Sequence, residues 1–113
     1  MALVRGAGAA LAVSSAVLHA SSPTVLTAVM AAVCLYCAYE LWRFDSIRSW
    51  LLVAVMNIAM IAVHLPATGH RHGDAGTAAA TDMAVAMQLA TAVAATEIVF
   101  AAAVLYVRTR APR

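Results

Sequence analysis

Charged residues are scarce in this sequence, and lysine is absent from it altogether. Of its 113 residues, 11% are charged and 65% are hydrophobic, a balance too apolar for a water-soluble domain of this length. The chain also lacks a glycine-rich loop for phosphates and a soluble scaffold for a Ser-His-Asp triad. These absences exclude nucleic-acid, nucleotide and hydrolytic functions, and we expect an integral membrane protein that is not an enzyme.

The apolar residues fall into four segments, each about as long as one membrane crossing. A crossing takes roughly 20 helical residues, so four crossings account for almost the whole chain. The sequence therefore predicts an all-α, four-helix membrane bundle that forms one transmembrane domain over residues 1–113. The predicted helices are 3–20, 23–44, 46–65 and 79–107, with an outer loop at 67–78. Ser22 and Pro23 would start the second helix, Asp45 or Ser46 would cap the third, and Pro66 would end it.

The seven arginines are unevenly distributed along this pattern. Six of them fall at one set of helix ends, and only Arg71 falls at the other. Basic residues in short loops stay in the cytoplasm, so we expect both termini and the turn at 44–48 to be cytoplasmic. An aromatic belt is predicted on the same side, from Tyr36, Tyr39, Trp42, Phe44 and Trp50. Rich use of alanine, valine and arginine suggests a bacterial genome and hence the bacterial cytoplasmic membrane.

Histidine and methionine side chains are predicted to gather near the outer helix ends. In the third helix Met56, Met60 and His64 follow one another at steps of four, which places them on one face. Depths estimated from a rise of about 1.5 Å per residue bring soft donors from all four helices to a common outer level. The candidate metal ligands are His19, Met30, Met60, His64, Met83 and Met87.

This donor set predicts a copper(I) site, because thioether sulfur and imidazole suit a soft cation. A haem b held between the two histidines is a second, less favoured cofactor. Methionine is also a common gap-filler in apolar cores, so a packing role is the alternative. Cys34 and Cys37 lie in mid-helix rather than at a helix start, where thiols become reactive. They are interpreted as packing residues or as a deeper relay station beneath Met30.

Two glutamates fall within the predicted spans at similar estimated depths. Glu97 lies roughly 25 Å along the fourth helix, and Glu40 lies at nearly the same level in the second. An ionisable residue inside the membrane is a functional hypothesis by default. The two carboxyl groups would share a proton or pair with Arg43. Alternatively, a neutral Glu97 would bond to Thr96, Ser14 or a neighbouring helix.

Three functions follow from these observations. The first is a metal-handling protein that binds or relays copper at the outer leaflet. The second is a non-catalytic accessory subunit, packed in the lipid bilayer as a homo-oligomer or within a larger membrane complex. The third arises because the chain is similar to the small multidrug resistance family in length and span count, which implies a proton-coupled exporter. That family has a central carboxylate in its first helix, whereas the first helix here, LVRGAGAALAVSSAVLHA, has none and Glu97 lies in the fourth.

Overall fold

The computed structural model describes the backbone of residues 1–21, 24–69 and 78–111, and their side chains except at 66–69, 78–81 and 83. The described residues form four α-helices: α1 (Ala2–Ala20), α2 (Val25–Phe44), α3 (Ile47–Gly69) and α4 (Ala78–Arg110). Each helix contains at least 19 consecutive residues that are apolar enough to cross a membrane. This confirms the predicted all-α membrane bundle, and the chain is that of a multi-pass membrane protein.

The four helices pack as a square, in chain order. The described contacts join α1 to α2, α2 to α3, α3 to α4, and α4 back to α1. Helices α1 and α3 therefore face each other across one diagonal, and α2 and α4 across the other. Residues that point inward from diagonal helices meet along the central axis of a bundle 57 Å long and 22 by 20 Å across.

The bundle has two chemically different ends. At one end Arg108 of α4 bonds to Asp45, between α2 and α3, and the Arg5 guanidinium lies 5.6 Å from the centre of the Trp42 ring. We call this the arginine end, and it holds the beginning of α1 and the end of α4. The opposite end, where α1 and α3 finish, is the histidine end. The surplus of arginine favours the cytoplasmic side for the first of these ends.

Each helix turns a narrow stripe of residues toward the central axis. The buried stripe of α3 is Trp50, Val53, Asn57, Met60 and His64. That of α4 is Ala90, Ala94, Glu97 and Ala101. Steps of three and four residues are typical of helices that pack at shallow angles in bundles. Met56, predicted to share the stripe of Met60 and His64, is half-buried beside it, and Asn57 occupies the central position instead.

Trp50 fills the centre of the arginine half. Its side chain is fully buried, with the ring packed edge-on against Phe100 at 5.6 Å between centroids. On α1, Gly8 makes room for it, because a Cβ atom there would come within 2.8 Å of the Trp50 ring. The prediction that Trp50 belongs to an interfacial belt is therefore wrong. The ring can be buried because its polar indole N–H donates a hydrogen bond to Asp45 Oδ1 at 2.9 Å. The exposed members of the predicted belt are Tyr36, Tyr39, Trp42 and Phe44.

Helix α2 begins two residues later than predicted. Thr24 is its N-cap, and its hydroxyl oxygen accepts a hydrogen bond from the Thr27 backbone N–H at 3.2 Å. The Thr27 hydroxyl oxygen accepts one in return from the Thr24 N–H at 3.1 Å. This reciprocal capping box satisfies two backbone donors at once, which explains why Thr24 starts the helix. The predicted start residues, Ser22 and Pro23, lie outside the described residues.

The bounds of α3 and α4 differ from prediction mainly at their C-terminal ends. The Ser46 hydroxyl accepts from the Ser49 N–H at 3.1 Å, which confirms the predicted cap at the start of α3. The helix runs past Pro66 to Gly69, so the prediction that Pro66 ends it is wrong and this proline lies in the last turn. Helix α4 extends three residues beyond its predicted end, to Arg110. Of the predicted outer loop, residues 70–77 lie outside the described part of the chain.

Candidate functional site

Two histidines meet at the histidine end, from diagonal helices. His19 on α1 and His64 on α3 are 3% and 6% exposed. Their Nε2 atoms lie 3.2 Å apart, and the rings are stacked with centroids 5.5 Å apart and planes 22° from parallel. Both imidazoles therefore direct the same nitrogen to one point inside the bundle.

The backbone of α1 fixes the orientation of His19. Its Nδ1 atom lies 2.8 Å from the carbonyl oxygen of Ser15, and since a carbonyl can only accept, Nδ1 must carry the proton. In the neutral ring the Nε2 atom of His19 then has a free lone pair, directed at His64. The His64 Nε2–H group then donates to that lone pair. The tautomer of His19 is thus the one that a ligand bonded through Nε2 requires.

Two sulfur atoms lie next to each other in the same half of the bundle. The Cys34 thiol contacts the Met60 thioether, with 3.7 Å between Sγ and Sδ, and lies 3.5 Å from the Ser15 hydroxyl oxygen. Cys34 is a free cysteine and 3% exposed. Met30 packs with Cys34 and Met60 in one buried cluster around Ala16. Three helices therefore contribute to a compact sulfur-containing layer.

These contacts close into a ring of donors. His19 lies one helical turn beyond Ser15 on α1, and His64 lies one turn beyond Met60 on α3, so each pair shares a helix face. Ser15 and Met60 are joined through Cys34, and His19 is joined directly to His64. We call Ser15, His19, Cys34, Met60 and His64 the donor cluster. It has a nitrogen layer, formed by His19 and His64, and a sulfur layer about 6 Å deeper along the helix axes.

The structure brings together some of the predicted metal ligands. His19, Met60 and His64 belong to the donor cluster, and Met30 packs against its sulfur layer. Met87 is half-buried and continues the inward stripe of α4, but the described contacts of the cluster do not include it. The side chain of Met83 lies outside the described residues. Among the residues that are described, no three His, Cys, Asp or Glu side chains group closely enough to hold a metal ion.

The two cysteines belong to different layers of the bundle. Cys34 packs with the methionines in the histidine half, whereas Cys37 packs with Leu41 and Trp50 in the core of the arginine half. Both thiols are free. The two thiols of the C-x-x-C spacing are not joined by a disulfide, and Cys34 is the one that packs with the candidate ligands.

The two glutamates face different surroundings. Glu97 is 3% exposed and faces the Asn57 side chain of α3. Glu40 is half-buried and accepts a hydrogen bond from the Tyr36 hydroxyl at 3.0 Å. The structure thus gives each carboxyl group its own partner, and the partner of Glu97 comes from a neighbouring helix.

Sequence reasoning did not assign a role to three residues that matter at these sites. Ser15 was not singled out, yet its carbonyl orients His19. Asn57 was not singled out either, and Asp45 was considered only as a cap. The available signal for Ser15 was its spacing of four from His19, which places a carbonyl within reach of the ring.

Comparisons with known proteins give no relative from which a role could be carried over. No protein-family model matches the sequence, and no significant match was found among curated proteins or solved structures.

Proposed function

We propose that this protein binds copper(I) in the donor cluster and relays it between the nitrogen layer and the sulfur layer. The observation that supports this most directly is the distance of 3.2 Å between the Nε2 atoms of His19 and His64. Two nitrogens at this separation fit one metal ion 2.0–2.1 Å from each, with an angle of about 100° at the ion. That angle leaves room in the coordination sphere for further donors.

The surroundings of the two imidazoles favour metal binding over simple packing. Histidines that ligate metals commonly donate their other N–H group to a backbone carbonyl, which fixes the ring. His19 does so to Ser15. His64 would join it by moving its proton from Nε2 to Nδ1, since only a lone pair can bind the ion. No large rearrangement of α1 or α3 is needed for both nitrogens to face the same ion.

The chemical nature of the donors selects the kind of ion. Imidazole and thioether ligands are neutral, and soft sulfur ligands favour copper(I) over hard cations. The free energy required to bury an ion in a low-dielectric interior rises with the square of its charge, so neutral ligands in a membrane bundle suit a singly charged ion best. Met60 and Met30 provide thioether sulfur in the layer one helical turn deeper than the histidine pair, where the Cys34 thiol packs with both.

A haem b is the less favoured cofactor for the same pair. Axial histidines bind iron from opposite faces of the macrocycle, so two bonds of about 2 Å each would separate the nitrogens by about 4 Å. The rings of His19 and His64 would have to part and admit the macrocycle between them. A single small ion requires neither change.

The test is copper binding by the full chain in detergent under reducing conditions. Purified protein is loaded with copper(I), freed of excess metal, and titrated with a chromophoric copper(I) chelator. We expect near-stoichiometric copper, and we expect the variant M60L/H64A to bind it at least about tenfold more weakly. X-ray absorption at the copper edge should show both nitrogen and sulfur neighbours.

The matched control is M56L, which replaces a methionine on the same helix that lies outside the donor cluster. This variant should bind copper as the unmodified chain does, and circular dichroism should show that all variants remain helical. A second control, H70A/H72A, tests whether the copper is held by the bundle or by these two histidines, which lie elsewhere in the sequence. Copper binding that is unchanged in M60L/H64A would remove these residues from the site. A protein that retains no copper would instead favour an accessory subunit of a membrane complex or a homo-oligomer.

A further inference from the structure

A second polar site lies on the central axis of the bundle, apart from the donor cluster. Glu97 of α4 and Asn57 of α3 face each other there and are 3% and 2% exposed. Among the described residues, the Oε1 atom of Glu97 and the Oδ1 atom of Asn57 have no hydrogen-bond partner. Two acceptor oxygens of facing residues are thus buried in the apolar interior without a donor from the described part of the chain.

The orientation of the Asn57 amide follows from its other contact. Its Nδ2 atom donates to the carbonyl oxygen of Val53 at 2.9 Å, and a carbonyl can only accept, so the amide nitrogen must point that way. At most one amide hydrogen of Asn57 then remains for Glu97. The amide oxygen still needs a donor, which the described residues do not supply.

An ionised Glu97 would be poorly stabilised at this position. A carboxylate has about four acceptor sites, and a buried charge is retained only with a counter-charge and several hydrogen bonds. The described residues give Glu97 no ion pair. The titratable groups of α2 that interact with it are the thiols of Cys34 and Cys37, and the facing group of α3 is the neutral amide of Asn57.

We propose that Glu97 and Asn57 form a proton-binding site, in which the carboxyl group of Glu97 is protonated at neutral pH and donates to Asn57 Oδ1. One added proton removes the buried charge and supplies the donor that the amide oxygen needs. The site lies beyond the proposed copper function, since none of its atoms belongs to the donor cluster. Its chemistry is that of a carboxylic acid that holds a proton inside a membrane span.

The direct test is the infrared spectrum of the metal-free full chain in lipid vesicles at neutral pH. A protonated carboxyl group has a carbonyl band that is separate from those of carboxylates and amides and that shifts on exchange into deuterium oxide. We expect this band in the unmodified protein and its loss in E97Q, which keeps the size of the side chain. The matched control is E40Q, which should retain the band because the band is assigned to Glu97. Glu40 instead accepts a hydrogen bond from Tyr36 nearer the protein surface.

Two further measurements sharpen the result. In N57L the band should persist but move to higher frequency, because the acid loses its hydrogen-bond acceptor. A hydrophobic carbodiimide, which adds a protonated carboxyl group across its C=N bond, should label Glu97 and not Glu40 in peptide mass spectra. A spectrum without the band, or with a band that E97Q leaves in place, would overturn the proposal. Copper binding is not involved in either outcome, so the two proposals fail independently.

Discussion

The two ends of the bundle both bury polar side chains, but they use them differently. At the arginine end, Asp45 Oδ1 accepts from Trp50 Nε1 at 2.9 Å and from Arg108 Nη2 at 2.7 Å. The Asp45 carbonyl oxygen accepts from Arg108 Nη1 at 2.6 Å. At the histidine end, His19 and His64 share a single contact between two nitrogens, and the neighbouring sulfur atoms are weak acceptors.

The two ends differ in how fully their polar groups are used in hydrogen bonds and ion pairs. Opposite charges and a buried indole hold α2, α3 and α4 together at the arginine end, where Asp45 Oδ1 accepts two hydrogen bonds. Neutral nitrogen and sulfur donors at the histidine end keep lone pairs that an ion can use. The first end is expected to dominate the stability of the fold, and the second to tolerate substitution.

The largest effect is expected from breaking the Asp45 contacts. The variant D45A should lose about 3–5 kcal/mol of unfolding free energy, because it leaves the largely buried guanidinium of Arg108 without its counter-charge and the Trp50 N–H without an acceptor. The measurement is denaturant unfolding in detergent micelles, followed by circular dichroism. The control is R110A, whose guanidinium lies 4.5 Å from the centre of the exposed Tyr106 ring and should contribute at most about 1 kcal/mol. Equal losses in the two variants would contradict a stabilising role for the Asp45 contacts.

A smaller effect is expected where Gly8 admits the Trp50 ring. The variant G8A should lose about 1–3 kcal/mol, because the new methyl group would overlap Trp50 and Leu41 in a packed core. Gly6 offers a matched control on the same helix, since a Cβ atom there would meet nothing within 4 Å. G6A should therefore change the unfolding free energy by no more than about 0.5 kcal/mol. If both variants unfold alike, the contact between Gly8 and the Trp50 ring does not limit stability.

The smallest effect is expected at the histidine end. In metal-free protein, H64A should lose about 1 kcal/mol, roughly the net contribution of one hydrogen bond. The same unfolding assay measures it beside D45A. A loss as large as that of D45A would mean that the histidine pair holds the fold together, and the contrast between the two ends would disappear.

Much of the architecture was predictable because the membrane imposes simple rules on sequence. Backbone groups in lipid must bond within a helix, so four long apolar segments predict four spanning helices, and α1 to α4 confirm them. The common level of His19 and His64 along the bundle was predictable, because α1 and α3 run in the same direction and both residues lie toward the C-terminal ends of these helices. Met60 was placed on the correct face, whereas Met56 was not, because steps of exactly four drift away from a stripe that repeats every 3.5 residues.

Other features depend on how far each helix is rotated about its own axis. Trp50 was expected at the interface but is buried, because Gly8 on a diagonal helix leaves space and Asp45 provides an acceptor. Glu40 and Glu97 were expected to interact because of their depth, yet one faces outward to Tyr36 and the other inward to Asn57. Depth follows from residue number, but the direction of a side chain depends on packing with helices distant in sequence.

The sequence by itself determined the four membrane-length helices, the end at which arginine accumulates, and the level of the histidines and methionines along the bundle. These depend only on hydrophobic length and on rise per residue. The tertiary structure alone decided that two Nε2 atoms meet, that Cys34 contacts Met60 rather than pairing with Cys37, and that Asn57 faces Glu97. The first contact joins helices across a diagonal of the bundle and the other two join neighbouring helices, and all three follow from the shapes of side chains that pack between the helices.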